Sequence, residues 1–343
     1  MRILTTAAPA PIDAPAFWQP AHPLWQLGFR PFYLLAAAFA ALSVPWWMMH
    51  YLGWRVGAPH VDVNWHMHEM VFGVAVAVIV GFLYTAARAW TGLLTPTRLR
   101  LAALAALWTA GRVAMLVAPA LPAALIDALF LPCAAVPLFF VLKKSGNKRN
   151  LFLVVLLALL AFANLTFHAV VLQWIALPST VPIQAAILIV VVIESVIGAR
   201  VIPMFTINGA PGTKPIVNPK RDRIALALMV SASLAWVVGL PAPMVAALAV
   251  AAACAGLIRV LGWQPHRTVN VPLLWILHAS YGWIPIGFFL LAAASLGMVS
   301  VSAAFHALTV GSMGGLIIGM MTRTALGHTG RLLKAGRAEL AMF

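Results

Sequence analysis

The sequence predicts an all-α protein, a polytopic transmembrane helical bundle of about ten spans, and three observations support this class. Of its 343 residues, 63% are hydrophobic and only 8% are charged, against about 25% charged in an average soluble domain. Apolar runs long enough to cross a hydrocarbon core of about 30 Å recur along the chain, and the basic residues collect in alternate loops. Because lipid cannot satisfy exposed backbone amides, the apolar runs must be helices.

Ten apolar runs follow one another in the chain, separated by short breaks. The breaks at 118–122 and 240–241 contain proline, which favours a turn between neighbouring spans. The predicted spans are 32–52, 66–87, 99–118, 121–142, 151–173, 181–204, 224–240, 242–261, 271–296 and 299–321.

Lysine and arginine set the predicted orientation. If the first span starts in the cytoplasm, 20 of the 22 basic residues fall on that side, and only Arg55 and Arg112 fall toward the other. Such an excess places both termini in the cytoplasm. The net charge of +15 is therefore a topology signal. No nucleic-acid partner is expected, because the basic residues are scattered over short loops.

One membrane domain is expected, with no soluble domain attached. Residues 1–29 are rich in proline and alanine and lack the continuous apolar core of a signal peptide, so we interpret them as a cytoplasmic or interfacial lead. Residues 30–323 form the predicted transmembrane domain, and 324–343 form a cytoplasmic tail.

A four-helix internal repeat is one interpretation of three similar segments at span ends. Their first glycines are Gly81, Gly198 and Gly319. These glycines are 117 and 121 residues apart, about four helices, and repeats of this kind are common in membrane folds. In this register His68 corresponds to His306 on the tenth span. The alternative is a chance match of small residues and one arginine at helix ends.

Histidines carry the strongest chemical signal, because ionisable groups within spans are rare and usually face a protein interior. Those in the outer parts of different spans are His50, His66, His68, His168 and His306. Imidazoles that converge at one depth suit a heme or copper site. The alternative is that each histidine donates one hydrogen bond to a neighbouring carbonyl and does nothing more.

The second span opens with the sequence WHMHEM, at 65–70. His66 and His68 diverge by about 200° on a helix, so they cannot both face one point. His66 instead shares a face with Glu69 and Met70. We therefore expect one histidine to bind a ligand while the other has a supporting role or lies at the helix mouth.

Three acidic residues lie within spans. Glu194, near the middle of the sixth span, could relay protons, hold a cation in a transporter, or form a hydrogen bond while neutral. Glu69 is the second candidate for proton handling. Asp127, near the outer end of the fourth span, is expected to be interfacial. Nucleotide-driven transport and hydrolysis find no support, because no Walker loop, dinucleotide fingerprint or nucleophile elbow is present.

Several motifs resemble those of the NnrS family, in order from about residue 25 to 335. They include 28–33 (GFRPFY), 65–73 (WHMHEMVFG), 89–92 (AWTG), 198–203 (GARVIP), 306–311 (HALTVG) and 326–331 (LGHTGR), with Asn164, His168, His278 and Tyr281. The resemblance implies a bacterial inner-membrane protein that contains heme and copper and protects cells from nitrosative stress.

The same resemblance implies the site residues. The family's histidines carry over as His66, His68, His168, His278, His306 and His328, with Glu69 and Arg200 beside them. We expect the metal ligands to be His66, His68, His168 and His306. Residues expected to bind the cofactor are His68, His168, His278, His306 and Arg200. The division of these histidines between heme and copper stays open.

One departure is that the family has about twelve spans, whereas this chain stops at Phe343, shortly after the tenth. The tail resembles the segment that precedes a further helix, so one interpretation is that the chain is truncated before two more helices. On the repeat interpretation, the missing pair would match spans that carry no histidine. The histidine cluster would then survive their loss.

Together these observations predict a heme/copper membrane protein that binds or turns over nitric oxide or a related small molecule, and an oxidoreductase is one form of it. One rival is a secondary transporter of a metal or small solute that uses Glu194 and the intramembrane histidines. A second rival is a heme-binding sensor or accessory protein without catalysis. The sequence leaves the oligomeric state and the electron donor open.

Overall fold

A computed structural model describes residues 15–54 and 60–343, and within them the regular structure is helical with no strand. The first fourteen residues of the predicted lead, and Arg55, lie outside the described residues. The helices are α1 (Phe29–Tyr51), α2 (Val63–Thr91), α3 (Arg98–Val117), α4 (Ala120–Lys144), α5 (Lys148–Val171), α6 (Thr180–Gly209), α7 (Pro219–Val238), α8 (Ala242–Gly262), α9 (Pro272–Ser295), α10 (Val301–His328) and α11 (Arg337–Met342).

Nine of the helices in the described residues are long and apolar enough to cross a membrane. The remaining predicted span is α7, which exists as a helix but begins with the charged run 220–223. Only the fifteen residues from 224 to 238 are left as its apolar part, and a full crossing needs about 17–25. The prediction of a polytopic all-α bundle is confirmed, with α7 as its shortest apolar segment.

Neighbouring helices pack in antiparallel pairs, and α2 and α6 lie deepest. The most apolar stretch is 72% buried in α2 and 67% buried in α6, but only 22% buried in α1. Helix α6 contacts both α2 and α10, while α9 packs along α8, α10 and α6. The hairpins α1–α2, α5–α6 and α9–α10 therefore meet around a shared centre.

The helix boundaries agree with a four-helix repeat. Helices α5 to α8 each begin between 117 and 122 residues after α1 to α4, and α9 and α10 begin 124 and 121 residues after α5 and α6. Two π-helical segments, Glu69–Ala75 in α2 and Ala307–Gly314 in α10, begin 238 residues apart. His68 and His306 have the same separation, so both histidines immediately precede a π-helical segment.

Three glycines four residues apart line the face of α10 that packs on α9. A Cβ atom on Gly311 would lie 2.6 Å from the Trp283 ring, and one on Gly319 would lie 2.8 Å from Leu277. At Gly315 it would collide with the Ser280 hydroxyl. Small residues at this spacing let the two backbones approach closely, which is a common basis of helix association in membranes. We call this face the α10 glycine seam.

Candidate functional site

A buried polar network joins α2, α3, α4 and α5 at the end of the bundle where α1, α3 and α5 finish. Its members are all at most 5% exposed: His68, Glu69, Arg112, Asp127, Asn164 and His168. The sequence folds this way because α3 and α4 form a hairpin with a short turn at 118–119, which places Arg112 across from Asp127. Charged groups at such depth are tolerated only when they pair with one another.

Arg112 is the cation that holds the two carboxylates of the network. Its Nη1 donates to Glu69 Oε2 at 2.8 Å, and its Nη2 donates to Asp127 Oδ1. Gly73 makes room for this pairing, because a Cβ there would lie 2.9 Å from both Arg112 Nη1 and Glu69 Oε2. The Trp108 indole donates to the Gly73 carbonyl at 3.1 Å and braces the same turn of α2.

His68 lies between hydrogen-bond acceptors on both sides of its ring. Its Nδ1 is 3.0 Å from Glu69 Oε1, and its Nε2 is 2.9 Å from Asn164 Oδ1 and 3.2 Å from Asp127 Oδ2. The orientation of the Asn164 amide is fixed, because its Nδ2 donates to Asp127 Oδ2 at 2.8 Å. An electropositive particle must therefore occupy the Nε2 side, either a proton or a metal ion.

The charges of the network lead to the same requirement. Glu69 and Asp127 contribute two negative charges and Arg112 contributes one positive charge, so with neutral histidines the network carries one uncompensated negative charge. An isolated charge buried in a membrane protein is costly. One more cation, a proton or a metal ion, makes the network neutral.

Three members of the network form a group that could hold a metal ion. His68, Asp127 and His168 each offer one ligand atom, and these atoms lie within 4.8 Å of one another. His168 Nε2 is 2.9 Å from Asp127 Oδ2. The Glu69 contact to Nδ1 directs the other nitrogen of His68 toward the group. A carboxylate on the far nitrogen of a metal-binding histidine is the usual orienting arrangement.

Two further predicted ligands, His66 of α2 and His306 of α10, lie at the same end of the bundle. The His66 ring stacks on Trp47, with centroids 4.8 Å apart and planes at 11°. Its Nδ1 is buried without a hydrogen-bond partner among the described residues. His306 Nδ1 donates to the Ser302 carbonyl at 2.7 Å, which fixes the tautomer and leaves Nε2 as the basic nitrogen.

The four predicted metal ligands thus sort into two pairs instead of one cluster. We call His68 with His168 the inner pair, and His66 with His306 the outer pair. The predicted divergence of the two α2 histidines agrees with this division. The His50 ring stacks on the Trp47 indole, with centroids 6.1 Å apart.

Other predicted cofactor residues lie near the opposite end of the bundle. His278 Nε2 is 2.8 Å from the Thr206 hydroxyl, and Arg200 Nη1 donates to Asn150 Oδ1 at 2.6 Å. His328 is exposed where α10 ends. The structure does not bring these residues to either pair.

The two predicted acidic residues have different surroundings. Glu69 is bound by Arg112 and His68 within the network. Glu194 lies apart from it and accepts a hydrogen bond from the Ser312 hydroxyl at 3.1 Å. Glu194 also lines an apolar cavity between α1, α2, α6, α9 and α10.

The prediction that Asp127 is interfacial is wrong, because its carboxylate is 3% exposed at the centre of the network. Arg112, which the sequence only placed toward the outer side, is 4% exposed. A signal for both existed in the sequence. Arg112 precedes the turn of a predicted hairpin and Asp127 follows it at a similar distance, which is the pattern of an ion pair between two spans.

The fold and this group define a polytopic helical membrane protein with a buried His/Asp/His group that could hold a metal ion. The chain belongs to the NnrS family, whose family model, described as NnrS protein, matches residues 23–343. The resemblance noted from the motifs is therefore confirmed. Membership supports a membrane protein of the nitric oxide response, and the family is associated with metal cofactors. A search of curated proteins found no match.

Proposed function

We propose that this protein is a heme- and copper-containing protein of the bacterial inner membrane that binds or turns over nitric oxide and so relieves nitrosative stress. The observation that carries the proposal is the His68 ring, whose Nε2 faces the acceptor atoms of Asn164 and Asp127. The two carboxylates and one arginine of the network leave a formal negative charge beside this position, which a proton or a metal ion would offset. Family membership supplies the link to nitric oxide.

The inner pair fits copper. Its ligand set would be His68, Asp127 and His168, two imidazoles and one carboxylate, and such nitrogen and oxygen donors suit copper and also non-heme iron. Heme does not fit here, because the six side chains of the network are at most 5% exposed and contact one another directly. A macrocycle would have to separate them.

The outer pair fits heme. His66 is half-buried and His306 is exposed, and the Trp47 ring offers an apolar wall beside His66. His306 has the nitrogen better suited to ligation, because the Ser302 carbonyl accepts from Nδ1 and leaves Nε2 basic, whereas Nδ1 of His66 is buried. Heme held by His306 would supply a coordination position for a diatomic ligand.

Glu69 and Glu194 remain the candidates for proton handling, with different roles. The contacts of Glu69 support a positioning role, because Arg112 fixes one carboxylate oxygen while the other orients His68. Glu194 has one hydrogen-bonding partner, Ser312, in an otherwise apolar wall. It is the better candidate for a group that gains and releases a proton.

The test is a visible absorption spectrum with copper analysis on the detergent-purified chain, first oxidised, then reduced, then exposed to nitric oxide. We expect a Soret band that shifts at both steps and near-stoichiometric copper. His306→Ala should lose the Soret band and keep copper, while His168→Ala should lose copper and keep the band. His266→Ala, in an exposed loop, is the matched control. A colourless, copper-free protein from cells with ample heme would contradict the proposal and turn attention to transport.

A further inference from the structure

An apolar cavity of about 90 Å³, partly open between the helices, lies where the hairpins meet around the shared centre of the bundle. Helices α2 and α10 line it with residues at matching positions of the repeat. These residues are Val78, Ile79 and Phe82 of α2, and Leu316, Ile317 and Met320 of α10. Each α10 residue follows its α2 counterpart by 238 residues, the interval that also separates His68 from His306. The α2 and α10 sides of the cavity are therefore formed by positions that match in the repeat interpretation.

The wall of the cavity is almost entirely apolar. Of the residues that line it, only Tyr33 and Glu194 carry a polar group. A buried water needs about two to four polar partners, and cavities without them stay dry and accept apolar guests. Glu194 also has its own partner, Ser312, at 3.1 Å. The chemistry of the wall thus favours an apolar guest over water or a charged solute.

The size of the cavity restricts the guest further. An apolar cavity of about 150 Å³ in a soluble protein binds benzene or xenon. At about 90 Å³, this cavity suits a single xenon atom or a diatomic molecule better than a ring compound. Such guests dissolve in the bilayer, and the helices that line the cavity cross it.

The cavity is also placed symmetrically with respect to the two histidine pairs. Val78 lies ten residues after His68 on α2, and Leu316 lies ten residues after His306 on α10. Both stretches begin with a π-helical segment. The cavity residues therefore lie at the same number of residues along the helix from His68 as from His306.

We propose that this cavity is a docking site for a small apolar diatomic gas, which lies in the membrane interior before it reaches the histidine pairs. That the gas is nitric oxide rests on the proposed function. The assignment of the cavity as a gas site rests on its volume, its apolar wall and its position.

Xenon is the probe that tests the cavity without any metal. We would measure bound xenon by hyperpolarised ¹²⁹Xe NMR on the full chain in detergent, against empty detergent micelles. Wild type should show a saturable bound signal. Val78→Phe and Leu316→Phe, which fill the cavity from two helices, should each weaken xenon binding at least about tenfold. The matched control is Val155→Phe, on a side chain of α5 that is 58% exposed, and it should bind like wild type.

Folding of each variant is checked by circular dichroism and by elution volume, and the two filling variants guard against failure of one of them. A wild-type chain without saturable xenon, or filling variants that bind it as wild type does, would overturn the proposal. The failures are distinguishable. If no xenon binds but the Soret band is intact, the gas site at the cavity is rejected and the proposed metal site stands. If xenon binds but the protein is colourless, the proposed nitric oxide function is rejected and the gas site stands.

On the protein with heme bound, the same variants give a second readout. Flash photolysis of the nitric oxide complex measures the rate at which the gas returns to the iron. Val78→Phe and Leu316→Phe should change the rebinding kinetics, and Val155→Phe should not. Identical kinetics in all of them would show that the cavity lies off the route of the gas.

Discussion

The carboxylate of Asp127 links four helices. From α4 it accepts hydrogen bonds from Arg112 of α3 and from Asn164 and His168 of α5, and it lies 3.2 Å from His68 of α2. A residue in this position holds the network together as well as offering a ligand atom.

Asp127→Asn tests this role. The change removes one negative charge and replaces an acceptor with an amide NH₂, which would face donors. Breaking a buried ion pair costs about 3–5 kcal/mol when it leaves an unpaired charge. Because Arg112 keeps Glu69 as a partner, we expect a smaller loss of stability, measured by unfolding in detergent, together with loss of copper. The double variant Arg112→Met, Asp127→Leu removes both partners and should be less destabilised than the sum of its single changes. Unchanged stability and copper in Asp127→Asn would contradict the geometry.

Glu69→Gln separates positioning from ligation. The amide keeps the size of the side chain but cannot accept hydrogen bonds from both Arg112 and His68 through two carboxylate oxygens. Loss of an orienting partner typically lowers metal affinity by about 10–100-fold, so we expect that decrease in a copper competition titration, with the Soret band intact. Glu194→Gln, the matched control, should leave copper affinity unchanged. A normal affinity in Glu69→Gln would rule out the orienting role.

At the scale of elements, the two π-helical segments are the most informative feature. Each lies directly after a histidine at the same position of the repeat, in α2 and in α10. A π-helical segment inserts extra backbone into an α-helix and is frequent at functional sites. In α6, which belongs to the same repeat and has no histidine at the matching position, the corresponding stretch 186–192 is α-helical. The irregular backbone thus accompanies the histidines.

The α10 glycine seam gives the prediction for helix packing. Gly315→Val should force α10 away from α9, because the added atoms meet Ser280 at once. Overpacking of this kind costs about 1–3 kcal/mol, which unfolding in detergent would detect. Gly314→Val is the matched control, since a Cβ there meets only a carbonyl of its own helix at 3.6 Å. Equal destabilisation by both changes would point to helix propensity rather than to the contact with α9.

Features that depend on one helix could be predicted from the sequence, and contacts between helices could not. Span positions depend on local apolar length, so the predicted 99–118 and 242–261 agree closely with α3 and α8. The separation of His66 from His68 also followed from one helix alone. The pairing of His66 with His306, and of His68 with His168, depends on which faces meet across helices, and a single sequence does not encode that locally. Asp127 was misplaced because a carboxylate near a span end looks the same whether it faces headgroups or an arginine.

At the scale of the whole molecule, both histidine pairs lie at the end of the bundle opposite most of the basic loops. The last turn of α4, beside the loop to α5, carries Lys143 and Lys144, whereas the loop after α5, at the end with the histidines, carries no lysine or arginine from 172 to 179. Because basic loops stay in the cytoplasm, we predict that the histidine pairs lie toward the side of the membrane away from the cytoplasm.

Two engineered cysteines test this orientation. Cys133 and Cys254 are free and exposed on the helices, so both are first replaced by alanine. Ser145→Cys, in the basic loop, and Ala176→Cys, in the loop after α5, then flank the same helix, and both positions are exposed. A membrane-impermeant maleimide should label Ala176→Cys in intact cells, but Ser145→Cys only after the inner membrane is opened. The reverse pattern would place the basic loops outside and the histidine pairs in the cytoplasm, where copper and electrons would have to arrive from the other compartment.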